Sequence, residues 1–133
     1  MNWTKVLLAG VAGGIALNLT EWVLHGMILA NTYTKYPVFS QEAANPLYFL
    51  LIALCIAIAA AMLFAKTRSS WAGGFLGGAT FGFFLGLVSF FAPFYNSLVF
   101  EGYPYYLSWC QGGSNLIAFV VLGAVLGLIY KQA

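Results

Sequence analysis

Four long apolar stretches, at residues 6–30, 46–65, 71–92 and 107–130, are separated only by short polar breaks, and they constrain this chain more than any other feature. A helix needs roughly 20 mostly apolar residues to cross a bilayer, and each stretch meets that length. Together they occupy most of the 133 residues and leave no room for a soluble domain. Only 6% of the residues are charged, five Lys or Arg against three Glu, where a soluble domain carries about 25%. A molecule this small exposes most of its residues, and so few charges cannot keep it in water. Five scattered basic residues also make no stripe that could track a phosphate backbone, which excludes nucleic acid as a partner. The expected fold is therefore all-α: an integral membrane four-helix bundle, one domain over residues 1–133, made of a first hairpin (1–66) and a second (67–133).

Helices are expected rather than a barrel. The apolar runs are continuous instead of alternating, and each exceeds the roughly 9–11 residues of a barrel strand. Asn45-Pro46 offers a cap followed by a proline at a helix start. The turn Lys66-Thr67-Arg68-Ser69-Ser70 is short enough to join only antiparallel neighbours. Pro93 stands where the third span should end or kink. Basic residues set the orientation: Lys5, Lys66, Arg68 and Lys131 fall on the side of both termini, against Lys35 on the other. Both termini are thus expected in the cytoplasm, with the loops near 31–45 and 93–106 outside. Asn18, Glu21 and His25 interrupt the apolar middle of the first span, so it is expected to be a retained span rather than a cleaved signal.

The halves read as copies. Gly10, Gly13 and Gly14 open the first span as Gly74, Gly77 and Gly78 open the third. Tyr36-Pro37 and Tyr103-Pro104 follow in the outer loops, Asn45 and Asn115 come near the start of the next spans, and the halves end at Lys66 and Lys131. Each unit holds two spans, so the copies insert in parallel. Gly74, Gly78, Gly82 and Gly86 recur every four residues, with Gly73 and Gly77 widening the strip, and Gly10/Gly14 and Gly123/Gly127 repeat the spacing. Without a hydrophobic drive between helices in lipid, close backbone approach at such strips holds helices together. The strips serve packing within the chain, docking onto another protein, or both. The opposite face of the third span, Phe75, Phe83, Phe84, Phe90 and Phe91, suits lipid or a cofactor tail.

Asn18, Glu21 and His25 share one face of the first span, together with Gly10 and Gly14. An ionisable group at this depth costs several kcal/mol unless it is paired, neutralised or hydrated. Ser89, Gln111, Ser114 and Asn115 are candidate neighbours at similar depth. Three readings are open. The stripe is a hydrogen-bonded cluster that glues helices; or it is a ligand site, with His25 an axial ligand to haem or chlorophyll, or the stripe holding a quinone headgroup; or Glu21 couples protons or cations in a small transporter. With a single His, no Asp and the Cys elsewhere, no metal site is expected. Cys55 and Cys110 differ in depth, so no disulfide is expected between them, and both read as buried small apolar residues.

Seven of the eight tyrosines fall on the outer side. An interfacial belt explains several of them, but the segment 95–106 is too apolar to extend into water. Tyr95, Tyr103, Tyr105, Tyr106 and Trp109 are expected to fold back onto the bundle or to dock onto a partner. No G-x-S-x-G, H-E-x-x-H or C-x-x-C motif is present, so no enzyme is expected. The size and layout resemble small bacterial inner-membrane proteins. Small multidrug transporters are similar in length, span number and a membrane Glu on the first helix, but residues 17–25 do not match their pattern around that Glu. The function expected first is a non-catalytic accessory subunit of a larger membrane complex, respiratory or photosynthetic, in contact with lipid and with other subunits or copies of itself. The alternative is a homo-oligomeric transporter that uses Glu21 as its coupling acid.

Overall fold

The computed structural model describes residues 1–36 and 45–131. The expectation placed on Pro37 lies outside the described residues. Every regular element among the described residues is helical: α1 (Trp3–Glu21), running on through a π-helical segment (Trp22–Ile28), then α2 (Ala30–Tyr33), α3 (Leu47–Lys66), α4 (Gly74–Phe91), α5 (Phe94–Val99) and α6 (Tyr105–Ile129). Four segments are long and apolar enough to cross a membrane: Trp3–Ile28, Leu47–Lys66, Gly74–Val99 and Tyr105–Ile129.

Local chemistry fixes the ends. The Asn2 side chain accepts from the backbone N–H of Lys5 at 3.1 Å and starts α1. Asn45 Oδ1 accepts from Leu47 N–H at 3.0 Å, with Pro46 directly before the helix. Pro93 does not end the third span outright. It separates α4 from α5, and the apolar stretch continues to Val99. Segment 93–106 is thus partly helical. Ser108 Oγ, fully buried, donates to Pro93 O at 2.9 Å and lies 2.7 Å from Ser97 Oγ, so α5 is tied back onto α6.

In space α1 lies between α3 and α6, and α4 packs along the other side of α6, the closest helix pair in the molecule. The buried cluster of Val6, Ala9, Ala57, Ala60, Ala61, Phe64, Phe81, Leu122 and Leu126 sits toward the end that carries both termini. There Phe64 meets Phe81 at 5.0 Å between ring centroids, and Trp71 packs edge-on against Phe81. Asn2 N–H donates to Tyr130 Oη at 3.3 Å, which puts the start and end of the described chain side by side.

Glycines set how close the helices come. A Cβ on Gly78, Gly82, Gly123 or Gly127 would collide with backbone of the facing helix: Gly123 O, Phe119 O, Gly78 O and Gly74 O in turn. Gly86 packs against Leu116, with 3.0 Å from its would-be Cβ to the Leu116 Cα. On the other hairpin, Gly10 and Gly14 lie against Ile58 and Leu54 of α3, each with 2.9 Å to the Cα atom. Gly73 and Gly77 do not widen the strip: Gly73 precedes the helix in open space, and Gly77 turns toward Ala72 of its own turn. Gly74, at φ +69°, supports the turn as well as the seam. The outward face of α4 carries Phe75, Phe83, Phe84 and Phe91, all exposed, whereas Phe90 packs on Phe94 and Trp109. Cys55 also corrects the sequence reading. It is exposed on α3 rather than buried, because Ala53, Ala57, Ala60 and Ala61 take the inward positions.

A candidate site in the groove between α1 and α3

Helix α1 is regular up to Glu21 and then widens. In the π-helical segment the N–H of Leu29 bonds to Leu24 O, five residues back, at 2.9 Å. Such turns are rare inside α-helices and are frequent at functional sites. This one starts directly after the acid and contains the histidine. It brings His25 Nε2 to 3.9 Å from Glu21 Oε2. Past Leu29 the short helix α2 carries Tyr33. The Tyr33 hydroxyl lies 2.5 Å from His25 Nδ1, and the two rings stack with centroids 5.7 Å apart. Nδ1 of the imidazole is thus engaged by the Tyr33 hydroxyl, and Nε2 faces Glu21.

These groups open onto a groove of about 650 Å³ between α1 and α3. Asn18, Glu21, His25 and Tyr33 form its polar wall, and Phe49, Ile52 and Ile56 of α3 the apolar one. The Glu21 side chain is 41% exposed and that of His25 28%. The carboxylate is thus neither sealed in a dry contact nor turned outright onto the outer surface. Toward the termini the groove closes, because Gly14 and Gly10 bring α1 against Leu54 and Ile58, and Gly13 meets Leu122 of α6.

Asn18, Glu21 and His25 share this groove; the candidates on α6 do not line it. Gln111 Oε1 accepts from Tyr103 O–H at 3.0 Å, and Asn115 Nδ2 donates to Ser89 O at 3.3 Å. Ser114 is buried in α6. The two polar sets approach each other at Tyr33, which lies within electrostatic reach of Glu21, Cys110 and Tyr103. Burial, reinforced by those groups, pushes the Tyr33 phenol up to about 12. Among the aromatic residues expected at the outer surface, Tyr95, Tyr105, Tyr106 and Trp109 are exposed. Tyr105 and Trp109 pack edge-on together and on Phe94.

An apolar slot with one acid, one imidazole and one phenol can hold a small polar headgroup by hydrogen bonds and its apolar remainder by contact. Nδ1 is engaged by Tyr33, so only Nε2 could ligate a haem or chlorophyll metal, and it faces Glu21. A quinone headgroup, which asks only for hydrogen bonds, is the closer chemical match. Among the described residues no three His, Cys, Asp or Glu side chains converge. Sequence reasoning missed Tyr33, assigned there to the aromatic belt, and the π-helical turn; no residue type announces either. Comparison with family models, with curated proteins and with solved structures found no match to this chain.

Proposed function

We propose that this chain is a small multi-pass membrane protein that works as a non-catalytic subunit of a larger assembly in a bacterial inner membrane, respiratory or photosynthetic in type. Both termini and the 66–70 turn face the cytoplasm, and the two hairpins are copies of one unit. The observation that carries the reading is the half-covered Glu21 in a groove walled by Phe49, Ile52 and Ile56. A carboxylate held among apolar side chains at membrane depth calls for an occupant that supplies a hydrogen bond and excludes lipid. A helix of a neighbouring subunit, seated against α3 with a polar side chain toward Glu21, meets both needs. The tight glycine seam below the groove supports a docking cleft over a conduction path, since nothing polar continues past Leu17 toward the termini.

The transporter reading is favoured by one feature, the succession Glu21, His25, Tyr33 leading from the groove toward the outer end. Purification in a mild detergent, followed by mass and absorbance measurements, separates the two. The subunit reading expects larger proteins to co-migrate with the chain and to be partly lost with Glu21→Gln; a quinone or haem spectrum in the same fraction would identify a cofactor as the occupant. A colourless homodimer whose vesicle transport is abolished by Glu21→Gln would overturn the subunit reading.

A further inference from the structure

The basic residues that lie scattered in the sequence converge in space. A cavity of about 390 Å³ at the end of the bundle that carries both termini is lined by Lys5 of α1, Lys66 at the end of α3, Arg68 and Ser69 of the turn, and Lys131 after α6. No acidic residue lines it among the described residues. Arg68 is its fixed element. Only 6% exposed, it donates from Nε to Tyr130 O at 3.2 Å and from Nη1 to Trp71 O at 2.9 Å and Ala72 O at 3.3 Å. Its guanidinium lies over the Phe64 ring, 5.4 Å from the centroid. Nη2 takes no hydrogen bond among the described residues. The three lysines around it are long donors that pair with no carboxylate among the described residues.

We infer that this cavity binds a phosphate group, and specifically the phosphodiester of an anionic phospholipid headgroup. Four cationic side chains around one concavity, with no counter-charge among the described residues, repel one another unless an anion joins them, and a buried guanidinium already held in place adds directed donors without further ordering cost. Basic pockets between helices on the cytoplasmic side, at headgroup depth, bind lipid phosphates in this way. The cavity sits there because Lys66 and Lys131 follow the ends of two spanning segments. The lipid as source rests on the membrane reading above; the phosphate chemistry does not.

The test uses the full chain in a neutral detergent, with thermal denaturation as readout. Phosphatidylglycerol, phosphatidylcholine and inorganic phosphate are added in separate arms, each to the wild type and to the triple variant Lys5→Gln, Lys66→Gln, Lys131→Gln. Phosphatidylglycerol is expected to raise the melting temperature of the wild type, with phosphatidylcholine and inorganic phosphate inert. The triple variant should lose apparent affinity for it by roughly tenfold or more. The matching triple Lys→Arg variant should recover it, which guards against a folding defect in the first. Equal stabilisation by inorganic phosphate, lost in the Gln variant, would keep the phosphate site and overturn its lipid source. Stabilisation by phosphatidylcholine to the same degree, no stabilisation by any arm, or full retention in the Gln variant would overturn the site.

Discussion

The two hairpins are joined by the same kind of seam and end differently. In the second, glycines of both helices face each other, so that Gly78, Gly82, Gly123 and Gly127 bring backbone onto backbone, and the contact runs on through Gly86 and Gly112 up to Phe90. In the first, glycines on α1 alone meet Ile58 and Leu54 of α3, and above Leu17 the helices part to form the groove. Counting from the paired glycines Gly10 and Gly74, the positions of Asn18, Glu21 and His25 correspond to Gly82, Leu85 and Ser89. Where one hairpin has Gly82 against Phe119 backbone, the other has an Asn at the groove wall. Gly82 thus lets α4 lie directly on α6, whereas Asn18 stands where α1 and α3 border the groove.

Exchanging that residue should produce the largest effect. Gly82→Asn would drive its side chain into the Phe119 backbone. The loss is expected at the upper end of the range of about 1–3 kcal/mol for overpacked sites, or beyond it. Reversible unfolding in mixed micelles measures it, and wild-type stability for this variant would break the comparison. Gly14→Ala in the first hairpin should cost less, toward the lower end of that range, since the new methyl meets the Leu54 Cα at 2.9 Å, a milder approach to backbone than the 2.1 Å between a Cβ on Gly82 and Phe119 O. Comparable losses at the two sites would mean that the seams are energetically alike. Ser108→Ala removes the tie between α6 and α5 and leaves Pro93 O without its donor. A loss of about 1 kcal/mol, with faster amide exchange over residues 94–99, is expected.

How much of this was legible in the sequence follows from which interactions are local. Span number and approximate limits rest on runs of apolar residues, and these survive in any packing arrangement; α3 and α6 start and stop within two residues of the expected limits. The shared face of Asn18, Glu21 and His25 follows from helix periodicity alone, and the groove contains all three. Their partners were not legible. Gln111 and Asn115 stand at plausible depth, but α6 directs them to Tyr103 and Ser89, and which face of one helix meets another is a tertiary matter. Tyr33 meets His25 across the π-helical turn and α2, a change of backbone winding that no residue in Trp22–Ile28 dictates. Arg68 read as a topology signal, and its burial beneath the termini depends on three carbonyls that converge only in the folded bundle.

The smallest expected effect concerns the open hairpin alone. Tyr33 lies just past the first spanning segment, and its phenol is pushed up to about 12, first by burial and then by the negative charges that Cys110, Tyr103 and Glu21 can carry. The fold therefore favours the protonated phenol over the phenolate. Because the folded value lies above the unfolded value of about 10, the contribution to stability is full below pH about 10 and is lost as the pH rises toward 12. Ionisation also places a charge on the hydroxyl that meets His25 Nδ1, so the upper wall of the groove should loosen over the same interval. Difference absorbance between wild type and Tyr33→Phe should place this phenol's titration near 12, and the stability gap between the two proteins should narrow across that interval. A titration at the ordinary phenol value would mean that Tyr33 is solvated and that the groove lacks the closed upper end that distinguishes it from the sealed hairpin beside it.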